Sequence, residues 1–124
     1  MDLTLHNAPP NAIRSLSDDG VIIGQQHYTQ SLLVSGQQLN AEWSVTDAAQ
    51  LDRDQAAMML DWRPELVILG TGATLTFPPP PFAASIMAAH VGLESMHNAA
   101  ACRTFNILLD EGRAAMLALI FPVT

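Results

Sequence analysis

The chain has 124 residues, 49% of them hydrophobic and only 14% charged, with a formal charge of −7. Its length is that of one domain, 1–124, able to build a core without disulfide or metal staples. All five cations are arginines (Arg14, Arg53, Arg63, Arg103, Arg113); this excludes Schiff-base chemistry on lysine, pyridoxal phosphate anchoring and a lysine-bearing phosphate loop, and the lack of a basic cluster disfavours nucleic acid and anionic membranes.

The chain begins Met1-Asp2-Leu3-Thr4-Leu5-His6, which lacks the basic and apolar regions of a signal peptide. Residues 1–17 read as a short edge strand at Leu3-Thr4-Leu5 and then a loop containing Pro9-Pro10. Asp18-Asp19-Gly20 is a turn signal. Val21-Ile22-Ile23-Gly24 and Ser31-Leu32-Leu33-Val34 are apolar runs on either side of polar residues 25–30, and they read as two antiparallel strands. Gly36-Gln37-Gln38 reads as a turn and 39–45 as a further strand, so the first third is an antiparallel lead-in to a sheet.

Thr46 is a natural N-cap for a helix whose positive end Asp47 and Asp52 favour. Leu51, Met58 and Leu60 supply its apolar face. Pro64 ends it by Trp62-Arg63, because the residue before a proline avoids the α conformation. Glu65-Leu66-Val67-Ile68-Leu69 is a short apolar strand that stops at Gly70-Thr71-Gly72. Pro78-Pro79-Pro80-Pro81 is extended, with Pro81 placed to open a helix over 82–90. That helix is apolar nearly all round and so is expected to be buried on more than one side. Gly92-Leu93-Glu94-Ser95-Met96 is a second strand. Asn98 caps a helix from 99 to about 110 that ends at Gly112, and 113–121 is a closing strand buried on both faces. No apolar run approaches the ~20 residues of a membrane span, so a cytoplasmic protein is expected.

This alternation predicts an α/β fold. A parallel β-α-β-α-β unit forms the C-terminal half and antiparallel strands the N-terminal part, because parallel strands need a crossover and a helix is the usual one. Ligand sites in such sheets gather at the carboxyl ends of the strands. Those ends carry Gly70-Thr71-Gly72 and His97-Asn98. A dinucleotide fingerprint would need a third glycine three residues after Gly72, where Leu75 stands, so that reading fails on spacing. What remains is a tight turn with positive φ at the glycines, whose Thr71 and loop amides could hold a small anion. His97 is of the residue type that could serve as a base or a ligand, but reads first as an exposed histidine beside a capping asparagine. His6, His27 and His90 show no metal-ligand spacing, and neither a metal nor a cofactor is expected.

Cys102, the single cysteine, excludes an internal disulfide and a Cys-rich zinc site. It shares an apolar helix face with Ala99, Phe105 and Leu109, and reads as a small buried hydrophobe rather than a nucleophile. Arg103 and Asn106 lie on one helix face, with Glu94 on the preceding strand. They read first as a tie between helix and sheet and second as contacts for a polar ligand or a partner carboxylate. Glu111 and Arg113 flank Gly112 and shape the helix-to-strand turn. The low charge content leaves apolar surface uncovered, so a protein partner or self-association, for instance a homodimer, is expected.

The order Leu69-Gly70-Thr71-Gly72, Phe77-Pro78, Gly92-Leu93-Glu94-Ser95-Met96, Ala99-Ala100-Ala101-Cys102-Arg103-Thr104-Phe105-Asn106-Ile107-Leu108-Leu109 and Glu111-Gly112-Arg113 resembles a family of small domains of unknown function. That family includes assembly factor 3 of the mitochondrial NADH:ubiquinone oxidoreductase (complex I). The resemblance is densest over 66–119, and the chain looks like a bacterial member. It implies a three-layer fold around a central mixed sheet, and a non-enzymatic assembly-factor-like role, such as aiding the biogenesis of a larger respiratory complex. The alternative is a small-ligand or anion-binding protein, or an unidentified enzyme, with its site between Gly70-Thr71-Gly72, His97 and the Glu94, Arg103, Asn106 group. Family members commonly carry Asp-Thr after the strand-end methionine, where this chain has His97-Asn98.

Overall fold

The computed structural model describes residues 10–122; the strand expected at Leu3-Thr4-Leu5 lies outside them. Five strands form the central sheet: β4 (Leu32–Ser35), β5 (Leu39–Asn40), β6 (Leu66–Gly70), β7 (Gly92–Met96) and β8 (Ala115–Leu119), in the order β5-β4-β8-β6-β7. β6 runs parallel to both β7 and β8, and β4 pairs antiparallel with β5 and β8. The sheet is therefore mixed, as expected. The two crossovers are α2 (Pro80–Ala88) and α3 (Asn98–Asp110), and α1 (Arg53–Leu60) precedes β6.

Period-2 alternation divides the core between the two faces of this sheet. Leu32, Val34, Ile68, Leu117 and Leu119 face α3, whose Cys102 and Phe105 they meet. Leu33, Val67, Leu69, Met116 and Ala118 face α1 and α2, represented by Met59, Phe82 and Ile86. Every residue of β8 is buried, which is what a central strand covered on both faces requires.

The N-terminal part differs from expectation in its pairing. β1 (Ile13–Ser17), β2 (Gly20–Ile23) and β3 (Gln26–Tyr28) make a separate antiparallel sheet in the order β1-β2-β3. Residues 13–17, read as loop, are thus a strand. The polar stretch between the two apolar runs supplies β3, which folds back on β2. The Val21-Ile22-Ile23 run therefore does not pair with the Leu32-Leu33-Val34 run. The latter is wholly buried and needs cover on two sides, which only the large sheet provides. Ile13, Val21 and Ile23 of the small sheet add to the core on the α3 side. The strand expected over 39–45 shrinks to Leu39–Asn40.

Thr46 does not cap a long helix. Asp47 caps a single 3-10 turn (Ala48–Gln50) through a capping box, and Asp52 caps α1 by accepting from the Gln55 amide at 2.9 Å. Between the two caps Leu51 is extended and buried, so the core takes Leu51 at the expense of one helical turn. α2 starts one residue earlier than expected, with Pro80 and Pro81 in its first turn, where their missing N–H groups cost nothing. It is buried on one side only: Phe82 and Ile86 are inside, while Met87 is 59% exposed. Its all-round apolar character comes largely from alanines, which sit at a surface at little cost.

Both crossover helices end on left-handed residues. Gly112 takes that place after α3, with Arg113 N–H bonding the Leu108 carbonyl at 2.9 Å. After α2 the same position is His90, at φ 61, with its amide on Met87 O and the Val91 amide on Ile86 O. A side chain in this conformation costs about 1–2 kcal/mol, partly offset in glycine by unfolded-chain entropy. His90→Gly is expected to raise stability by about 0.5–1 kcal/mol in urea denaturation; an unchanged midpoint would show that the histidine has a compensating contact.

Candidate functional site

The carboxyl ends of β6 and β7 are held together by one asparagine. β6 ends at Gly70, β7 at Met96, and α3 begins at once. The Thr71 amide donates to Met96 O at 3.0 Å, the Asn98 amide to Gly72 O at 2.8 Å and the Ile120 amide to Gly70 O at 2.9 Å. The Asn98 side chain is buried between these chains. Its Oδ1 accepts from the Gly72 amide and its Nδ2 donates to the Ile120 carbonyl, both at 2.9 Å. A Cβ at Gly70 would come within 2.6 Å of Asn98 Oδ1 and 2.8 Å of Leu119 Cδ1. Glycine at 70 is therefore a matter of close approach. Positive φ is found at Gly72, at 103 degrees, and not at Gly70.

The cap of α3 is His97, not Asn98. Exposed His97 accepts from the Ala100 amide through Nδ1 at 3.3 Å, the role of an N-cap side chain. The Thr71 hydroxyl donates to Thr74 O at 2.7 Å and accepts from the Thr76 amide at 3.0 Å. Of the groups read as able to hold an anion, Thr71 and the loop amides, the Thr71 hydroxyl and the Gly72 amide thus already have partners inside the fold.

Gly72, His97 and Asn98 line a groove of about 570 Å³, closed on its other side by Leu16 and Asp18 from the β1–β2 hairpin and by Phe121-Pro122. Arg103 and Asn106 line an adjoining groove of about 300 Å³ between α3 and β1, which shares Leu16 and Ala99 with the first. Glu94 lies on neither groove: it is exposed on the outermost strand, β7, and makes no ion pair with Arg103 among the described residues. Asn106 is a structural tie, but to β1: it accepts from Ile13 N at 2.8 Å and donates to Ile13 O at 2.9 Å. Arg103 is exposed beside it. The three residues grouped by sequence do not form one unit.

Cys102 is 5% exposed on the α3 face, as its helical spacing suggests. Burial pushes its thiol up to about 12, and the charge of Arg103 offsets only part of that. It is a neutral thiol at ordinary pH. The single ion pair among the described residues joins Arg113 Nε to Glu65 Oε2 at 3.1 Å, at the other end of the sheet. There the Ala114 amide and the Arg113 guanidinium hold the Glu65 carboxyl below its ordinary range. Asn98 is the residue that sequence reasoning undervalued. Its partners lie 26 and 22 residues away, and no local pattern marks such a bridge.

Known proteins bear this arrangement out at the level of the fold. The Xanthomonas campestris protein XCC1710 is 34% identical to the chain, with a TM-score of 0.82 over 89% of this chain and 83% of its own. A Bordetella pertussis protein described as a Mth938-like domain shares the fold with a TM-score of 0.80 at 20% identity, over 94% of this chain and 89% of its own. A Francisella tularensis protein named 13 kDa major membrane protein is 27% identical over 93 residues, 74% of this chain and 76% of that protein. Among the described residues no helix is long and apolar enough to cross a membrane. Residues 13–120 match the family described as protein of unknown function DUF498/DUF598, and the chain belongs to that family.

Proposed function

We infer that the chain is a single-domain, non-enzymatic interaction module that docks a partner protein through the loop after β6 and the outer face of α2. The observation that carries this reading is the exposure of Phe77 (75%), Met87 (59%) and Leu75 (49%). All three fall within 66–93, a stretch without a single charged residue. Exposed phenylalanine, leucine and methionine side chains are unfavourable in water and favourable against another apolar surface. The occupant is a different protein rather than a second copy, because a chain carrying −7 repels itself. Assistance in building a larger complex, a respiratory one in particular, is the finer form of this reading; it rests on the resemblance to the complex I assembly factor. A cytoplasmic location belongs with it.

Phe77→Ser tests it. An exposed loop substitution is expected to move stability by no more than about 0.5 kcal/mol, while specific partners recovered from native lysate by the wild type are lost. Equal recovery by both forms would sink the assignment of this surface. A concentration-dependent dimer that Phe77→Ser abolishes would make the occupant a second copy. The name of the Francisella relative raises a bilayer as competitor; flotation with anionic vesicles, abolished by the same substitution, would replace the protein partner with a membrane.

The second reading is a small ligand in the 570 Å³ groove beside Gly70, Thr71, Gly72 and His97, a volume ordinary for ligand sites. It is the weaker one, because the loop's hydroxyl and the Gly72 amide are already bonded within the protein.

A further inference from the structure

A separate cleft opens at the opposite end of the sheet, where β6 and β8 begin. It encloses about 420 Å³ between the turn after β4, the end of α1 and the turn from α3 into β8. Arg63 and Arg113 both line it, two of the five cations of an acidic chain, together with Trp62, Gln37, Gln38 and the apolar Leu109. Glu65 engages Arg113 through Nε, and Arg63 makes no ion pair among the described residues. The lining thus holds two guanidinium groups and no carboxylate, with Glu65, Asp61, Asp110 and Glu111 as chain neighbours of lining residues.

The backbone at Arg63 adds an independent observation. Its amide closes α1 on Leu60 O at 2.9 Å, and its φ is 56 degrees. Pro64 keeps this residue out of the right-handed helical region. The left-handed conformation it adopts instead is one that glycine occupies freely and arginine does not. The chain path accounts for the conformation but not for an arginine there. His90 bears the same cost simply in closing α2, so the cost carries weight at Arg63 only because this side chain also lines the cleft.

We propose that this cleft binds a small organic oxyanion, a carboxylate or a phosphate, gripped by Arg63 and Arg113 with its organic part against Trp62. Guanidinium groups match the planar and bidentate geometry of both anions. The amides of Gln37 and Gln38 offer neutral donors, and an aromatic ring with an apolar neighbour suits the carbon skeleton. The volume is that of a small-molecule site. The cleft lies at the opposite end of β6 from Gly70-Thr71-Gly72 and involves none of Leu75, Phe77 and Met87, so it stands apart from the docking surface and its groove.

The test is a nitrogen-15 titration of the full chain with inorganic phosphate and, separately, succinate, against chloride at matched ionic strength. The two tryptophan indoles report independently: Trp62 lines the cleft, while Trp43 is buried and donates to Gln55 Oε1 at 2.8 Å. At least one anion is expected to move the Trp62 indole saturably and leave that of Trp43 in place; whichever saturates at the lower concentration identifies the ligand as phosphorylated or carboxylic. Arg63→Gly is expected to weaken binding about tenfold or more and at the same time to melt higher, since glycine relieves the left-handed backbone. Arg63→Lys, which keeps the charge without the fork, is expected to fall between the two in affinity. Non-saturating shifts with both anions, or an Arg63→Gly variant that binds as tightly as the wild type, would overturn the proposal.

Discussion

Asn98→Ala is expected to lower stability by about 3 kcal/mol, the cost of stranding two buried backbone groups. The wild-type amide satisfies the Gly72 N–H and the Ile120 C=O at once, and the residue is 7% exposed. Each group left without a partner bears an uncompensated desolvation cost of about 1–3 kcal/mol. Asn98→Asp separates the two halves of the bridge. The carboxylate still accepts from Gly72 but cannot donate to Ile120, and its charge is buried. Its protonated form restores a donor, so this variant is expected to lose less stability relative to wild type in mild acid than at neutral pH. Urea denaturation across pH checks both. A loss below about 1 kcal/mol for Asn98→Ala would mean that water or a shift of the Gly70-Thr71-Gly72 loop replaces the amide.

The Cys102 thiol is expected to make the fold sensitive to alkali. In the unfolded chain it ionises near 9.0, and in the folded chain burial raises that to about 12. Between these values the unfolded state releases a proton that the native state retains, so stability falls as pH rises. The contribution is fully present below pH 9 and is lost progressively toward pH 12. One titrating thiol costs about 1.4 kcal/mol per pH unit in this window, hence about 2–3 kcal/mol between pH 9 and pH 11. Cys102→Ala is expected to have lower stability at pH 7, because it leaves a small void, yet a flatter decline above pH 9. Parallel declines for the two forms would place the titration elsewhere. The same burial predicts slow labelling by thiol reagents at pH 8, limited by local opening.

Much of the C-terminal half was legible because its signals are local. The runs at Val67-Ile68-Leu69 and Leu117-Ala118-Leu119 are too short and apolar for anything but covered strands. Gly112 and Pro64 stop helices by their own backbone chemistry, and Cys102 with Phe105 and Leu109 keeps helical spacing. β1 was not legible, because in Ile13-Arg14-Ser15-Leu16-Ser17 only two residues are apolar and just one of them is buried. Nor was the partner of Val21-Ile22-Ile23, since an apolar strand will pair with any neighbour that covers it. The exposure of Met87 ran against composition, because an alanine-rich helix reads the same whether it is covered or bare.

The sequence by itself determined the element types of the parallel unit, the burial of Cys102, the span of β7 and the end of α3. These follow from side-chain period and from residues that act on their own backbone. Tertiary structure alone decided which strands share a sheet and that Asn98 bridges Gly72 and Ile120. It also decided that Asn106 ties α3 to Ile13, 93 residues away, and that Arg63 and Arg113 share a cleft. The physical reason is that a hydrogen bond or a charge acts over a few ångströms in space, and a single chain carries no local record of which distant group will come within them.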